Sequence, residues 1–228
     1  MALIVPPARK RVRKASIRSK SVALRLLRSG YSVVLATHFI ASLLHSTSLP
    51  RWLIVGGLPL SILTAVYTAY LFAQAKARDL WQNPLLPPHL LVQALLLGSA
   101  VLLPIAAWIE QSRLSTRFTG AVAPTVVALL RTLAVTSLLH LLMIWGEVSL
   151  THATAHARLA IWEMIHGRYQ GDFWMGLAMS MLGGILLALA VLGIVSTSIG
   201  VGGAPLALIG VMLYEHAYVQ AGQSVPLA

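Results

Sequence analysis

The sequence predicts an all-α, polytopic transmembrane helical bundle of about six spans, and three observations carry that prediction. First, 57% of the 228 residues are hydrophobic and only 10% are charged, whereas a soluble domain carries about 25% charged residues. The mean hydropathy is +0.80. Second, the apolar residues gather into runs of about 20, the length a helix needs to cross a hydrocarbon core that offers the backbone no water. The short alternating segments of a membrane β-barrel are not seen. Third, the net charge of +11 is unevenly placed, with nine of the 17 Lys and Arg residues between positions 9 and 28.

That basic end, residues 1–29, reads as a segment held on the cytoplasmic side by the positive-inside rule and resting on anionic lipid. It is too long and too basic for a cleaved signal peptide, and the membrane composition argues against nucleic-acid binding. Residues 30–228 form the transmembrane domain, with spans expected at 30–49, 52–74, 89–109, 122–146, 173–196 and 201–219. The tight link around Pro50 and Arg51 predicts a hairpin between the first two. An even number of spans returns the C-terminus to the cytoplasm. Lys76, Arg78, Arg158 and Arg168 then fall on the inner side, and Arg51, Glu110, Arg113 and Arg117 on the outer. Between the fourth and fifth spans, Leu159, Trp162 and Ile165 recur at helical spacing, interleaved with His156, Glu163 and His166. This is the pattern of an amphipathic helix lying in the interface, which Gly167 would end. The run IGVGGAP at 199–205 follows no strand and lacks the Lys-Ser/Thr ending of a phosphate loop, so it reads as a flexible outer turn.

The chain has no cysteine, so it forms no disulfide and holds no iron-sulfur cluster through thiolates of its own. His140 and Glu147 are seven apart, two turns on one face, and Thr136 lies four before His140, so the fourth span carries a polar stripe. Ionisable groups at membrane depth face a bundle interior, a water cavity or a partner. Two readings stand for His140 and Glu147: a proton relay, or a helix-end carboxylate beside a satisfied core histidine. His89 and Gln93 head the third span, while Tyr67 and Tyr70 close the second on the same side. Such side chains donate well to carbonyl oxygens and are equally ordinary in the interfacial belt. Arg131 reads as a snorkelling rim arginine, the alternative being a buried one paired with Glu110. His38 and His45, seven apart on the first span, admit a haem reading with second ligands from His140 or His216. His152 and His156 have the spacing of a metal pair but no third ligand, and read as a surface pair.

The stretch QAKARDLWQNPLLPPHLL, 74–91, breaks the apolar pattern between the second and third spans. Pro84, Pro87 and Pro88 set turn geometry and the first turn of the next helix, Asn83 favours a turn, and Arg78 beside Asp79 offers an ion pair. Before it stand Tyr67, Thr68 and Ala69, and within it Trp81, Pro84, Leu85, Leu86 and Pro87. After the fourth span Glu147 is followed by Gly167, Tyr169, Phe173 and Trp174. On these motifs the chain from about residue 21 onward resembles the NrfD/PsrC family. These are polysulfide-reductase-type integral membrane subunits, among them the membrane subunits of alternative complex III.

The resemblance implies a membrane subunit of a respiratory oxidoreductase complex in the bacterial inner (cytoplasmic) membrane, with both termini cytoplasmic. Such a subunit binds quinone or quinol, menaquinone or ubiquinone, and conducts protons. It exchanges electrons with an iron-sulfur partner subunit that serves a molybdopterin or haem subunit, and sits beside other membrane subunits. It implies His140 and Glu147 as proton relay, and Tyr67, Tyr70, His89 and Gln93 around the quinone head group. The loop residues Arg78, Asp79 and Trp81 would meet a partner, and this chain itself would hold no haem and no iron-sulfur cluster. Family members have more spans than this chain offers, so further helices are expected from an N-terminal portion or from another chain. A proton-coupled transporter or channel subunit would use the same Glu147 and His140, but the inverted repeat common in transporters is not visible. The composition is also compatible with a haem b-binding anchor or with a purely structural membrane anchor.

Overall fold

The computed structural model describes residues 29–41, 43–44, 49–75, 78–112 and 122–226. Among them are seven α-helices and no strand. They are α1 (Ser29–Ala41), α2 (Leu49–Phe72), α3 (Leu86–Gln111), α4 (Val122–Ser149), α5 (Ala155–Ile165), α6 (Gln170–Val191) and α7 (Thr197–Ser224). Five of them, α2, α3, α4, α6 and α7, are long and apolar enough to cross a membrane, and α1 is a shorter apolar helix. The basic segment at positions 1–28, His45, Lys76, Arg113 and Arg117 lie outside the described residues.

The chain divides into two compact units, one up to Thr68 and one from Ala69. In the first, hydroxyls that no water would serve bond to their own helix: Thr37 Oγ1 to the Val33 carbonyl at 2.8 Å and Thr64 Oγ1 to the Leu60 carbonyl at 2.7 Å. Pro50 and Arg51 are helical, in the first turn of α2, so the link expected to join the first two spans falls at 45–48, outside the described residues. A proline is tolerated in that first turn because its missing N–H would have had no partner in the helix. Within this unit α1 meets α2 where a Cβ on Gly57 would lie 2.9 Å from Val34 Cγ1.

In the second unit α3, α4, α6 and α7 pack as antiparallel neighbours, with α6 and α7 in the most extensive contact. Small residues make that closeness possible. A Cβ on Gly183 would lie 2.7 Å from the Ala207 nitrogen and 2.7 Å from the Gly203 carbonyl oxygen, and one on Gly176 would lie 2.8 Å from the Tyr214 nitrogen. Association in lipid rests on such close packing, since apolar burial drives little there. The same logic corrects the reading of 199–205. This stretch is helical, the start of α7, capped by the Ser196 side chain, which accepts from the Ile199 N–H. Gly200 and Gly203 serve close packing against α6, and the actual turn lies just before, where Gly193 adopts a φ of 72°.

The interior has two cores. One, built from Leu96, Leu103, Val126, Leu133, Leu187, Ala207 and their neighbours, is wholly aliphatic. The other gathers Phe173, Tyr214, Tyr218, Ile144 and Met164 with Leu80 and Trp81 of the 78–85 loop. In that loop a single 3-10 turn covers Asp79–Gln82. Arg78 does not pair with Asp79. Its Nη1 donates instead to the carbonyls of Gly222, Gln223 and Val225 at 3.0, 2.6 and 3.0 Å, neutralising the negative end of α7. Tyr218 OH donates to the Leu80 carbonyl at 3.0 Å, and the Trp81 ring sits over Gly222, where any side chain would collide with it.

Helix α5 is short, N-capped by Thr154 and followed by Gly167, and it buries Ala157, Ala160, Ile161 and Met164 against the bundle. Leu159 and Trp162 of its apolar stripe are exposed, on the side away from the bundle.

Candidate functional site

Because α3 and α4 run antiparallel, the head of α3 lies beside the tail of α4. Pro87 and Pro88 open α3, and its interior face then presents His89 and, one turn on, Gln93. Helix α4 extends to Ser149, so Glu147 stands in its last turn and shares the buried face with His140. Tyr214 enters from α7. His89, His140, Glu147 and Tyr214 are each at most 1% exposed.

These four side chains form one continuous chain of hydrogen bonds. Tyr214 OH donates to Glu147 Oε2 in a short hydrogen bond. His89 Nδ1 lies 3.0 Å from Glu147 Oε1, and His89 Nε2 lies 2.8 Å from His140 Nδ1. Gln93 Nε2 approaches His89 Nε2 at 3.3 Å, and its side chain also engages Glu215, the half-buried neighbour of Tyr214. With Glu147 ionised, the donors order themselves: His89 donates through Nδ1–H and accepts at Nε2 from His140 Nδ1–H. His140 Nε2 is then a bare acceptor, and it is buried with no protein partner. The His89 and His140 ring centroids are 5.0 Å apart, and Tyr214 stands 5.6 and 5.4 Å from them.

A carboxylate without water is costly, and removing one partner of a buried ionic pair costs about 3–5 kcal/mol. Two donors on separate helices offset that cost here. The arrangement runs about 10 Å along the α4 axis, the rise of seven residues. Shifting each shared proton one place along it moves a charge that distance with no heavy-atom displacement.

The family model for polysulphide reductase, NrfD, matches residues 18–227. The chain belongs to the NrfD family. NrfD proteins are membrane subunits of quinone-linked oxidoreductases and partner with iron-sulfur subunits, so this is a multi-pass membrane protein of that group. Neither the curated proteins nor the solved structures gave a match.

In this NrfD chain the residues expected to form a relay, His140 and Glu147, and two of those expected around a head group, His89 and Gln93, make one cluster. Tyr70 is 58% exposed on α2, and Tyr67, in the first unit, is half-buried. Arg131 is exposed on α4, well inside the helix rather than in its first turn. His216 pairs with Asp172 at 3.0 Å on an exposed face, away from the buried His140. The pair expected at the surface is also corrected. His152 is half-buried and its Nε2–H donates to the Glu147 carbonyl at 2.9 Å, while both ring nitrogens of His156 are buried without partners. Among the described residues no group of three or more His, Asp or Glu is placed to hold a metal ion. Tyr214 and Glu215 escape the sequence reading, although two polar residues together inside an apolar span carry the same signal as Glu147.

Proposed function

We propose that this chain is the quinone-binding, proton-conducting membrane subunit of a respiratory oxidoreductase complex in the bacterial cytoplasmic membrane, with both termini cytoplasmic. It exchanges electrons with an iron-sulfur partner, and its cofactor is menaquinone or ubiquinone. The observation that carries the reading is the unbroken Tyr214–Glu147–His89–His140 chain, buried across three helices and ending in an unpartnered His140 Nε2.

That terminal nitrogen supports a fit to quinol. A quinol hydroxyl needs an acceptor, a quinone carbonyl needs a donor, and His140 Nε2 serves as either by changing tautomer. Ser137, one turn earlier on α4, adds a buried hydroxyl without a protein partner. When bound, the quinone couples two-electron transfer to the uptake or release of two protons. His140 receives a proton at Nε2 and passes its Nδ1 proton to His89 Nε2. His89 passes its Nδ1 proton to Glu147, and Tyr214 holds the other carboxylate oxygen in place. Run backward, the same steps deliver a proton to His140 Nε2. In this reading His89 and Gln93 are relay and positioning groups, since both ring nitrogens of His89 are already engaged.

The test is to purify the complex in mild detergent, identify the chains that accompany this one, and extract it for quinone. An iron-sulfur partner with bound quinone is the expected result. A chain that purifies alone, without quinone, and takes up protons into liposomes only with a transported solute would replace this reading with a proton-coupled transporter.

A further inference from the structure

At the Glu147 end of the cluster a second polar feature opens. A cavity of about 320 Å³ lies between the 78–85 loop and the link from α4 to α5, lined in part by Asp79, Gln82, Asn83, Thr151, His152 and Thr154. The grooves along α4 and α6 are lined almost entirely by apolar residues such as Leu141 and Met181. Here two titratable side chains, Asp79 and His152, share one space with several neutral polar ones. His152 is tied to the main chain of the relay residue, because its Nε2–H donates to the Glu147 backbone carbonyl at 2.9 Å, while the Glu147 carboxyl faces His89 and Tyr214. That bond settles the tautomer and leaves Nδ1 as the nitrogen that takes up and gives off a proton. Among the described residues the nearby cations are otherwise engaged. Arg158 of α5 donates to the His152 carbonyl at 3.1 Å, and Arg78 is bonded to the end of α7.

We propose that this cavity is the aqueous mouth of the relay, where Asp79 and His152 exchange protons between bulk water and the Glu147 carboxyl. The inference rests on the relay reading above and adds residues and a place of entry to it. A protonated Glu147 gives its proton to water that enters from the cavity, and that water passes a proton to His152 Nδ1. Asp79 or bulk water then accepts it, Glu147 returns to the carboxylate that Tyr214 holds, and His89 donates to it again once the two imidazoles have returned to their starting tautomers. No electron moves and no co-reactant is needed. A pair of exchangeable groups at the opening of a buried path gathers protons from solvent faster than the buried carboxyl alone, which is at most 1% exposed.

The experiment uses the intact complex in liposomes, with a pH-sensitive dye reporting proton release or uptake as quinol or quinone is added. Asp79→Asn, His152→Gln and the double variant are compared with Glu147→Gln, and quinone binding is measured on each. The double variant should slow proton exchange roughly tenfold while binding quinone normally, and formate, a weak acid small enough for the cavity, should restore much of the rate. A slow double variant that formate does not restore would mean that the two residues only hold the loop, and would overturn the proposal. Full speed in the double variant with a slow Glu147→Gln would place the mouth elsewhere and leave the relay standing. Full speed in Glu147→Gln would remove the relay, and the mouth with it.

Discussion

The two ends of the bundle are made by the same four helices and differ in almost everything else. Where Leu96, Leu103, Leu133 and Leu187 meet, the core is aliphatic and contains no titratable group. Where the 78–85 loop and α5 close over the helix ends, it is aromatic and surrounds a carboxylate, two imidazoles and a phenol. The first end holds together by fit alone. The second also satisfies every ring nitrogen and carboxylate oxygen of its network except His140 Nε2. Cohesion and chemistry are thus divided along the length of the bundle, and the extra elements, loop and α5, belong to the chemical end.

Substitutions can break that division. The largest effect is expected from Glu147→Gln, which should cut quinone-linked turnover about 10²-fold while the complex stays assembled; normal turnover would take Glu147 out of the mechanism. At the other end, Gly183→Val should disturb cohesion and leave chemistry alone. Its side chain would meet the backbone of Gly203 and Ala207, and a loss of about 3 kcal/mol is expected in detergent unfolding, with normal turnover per folded complex. Arg78→Ala removes three bonds to the α7 end and should cost about 2 kcal/mol. A loss of partner binding without a loss of stability would instead make the loop an interface. Tyr214→Phe is the mildest, at about 1 kcal/mol, with a few-fold slower turnover if the phenol only positions Glu147. Abolished turnover would make it an obligatory link.

Much of this is legible in the sequence, and the failures have physical causes. Seven-residue spacing puts His140 and Glu147 on one face, and four-residue spacing does the same for His89 and Gln93, because helical periodicity is a local property. That the two pairs coincide depends on how far α3 overlaps α4, which no local pattern encodes. The glycines at 199–205 suggest backbone freedom and hence a turn. In the fold they matter for the side chain they lack. Pro50 likewise suggests a link and stands instead in the first turn of α2, where its missing N–H costs no helical hydrogen bond. Tyr214 and Glu215 are hard to see because their span is apolar on average, and the average hides two polar neighbours.

The shared protons of the Tyr214–Glu147–His89–His140 chain lead to an isotopic consequence. A path that works by handing protons between fixed neighbours is insensitive to solvent viscosity and responds to deuterium at each link. In mixtures of light and heavy water, turnover limited by this chain should fall along a curve rather than a straight line, the mark of several hydrogens in flight at once.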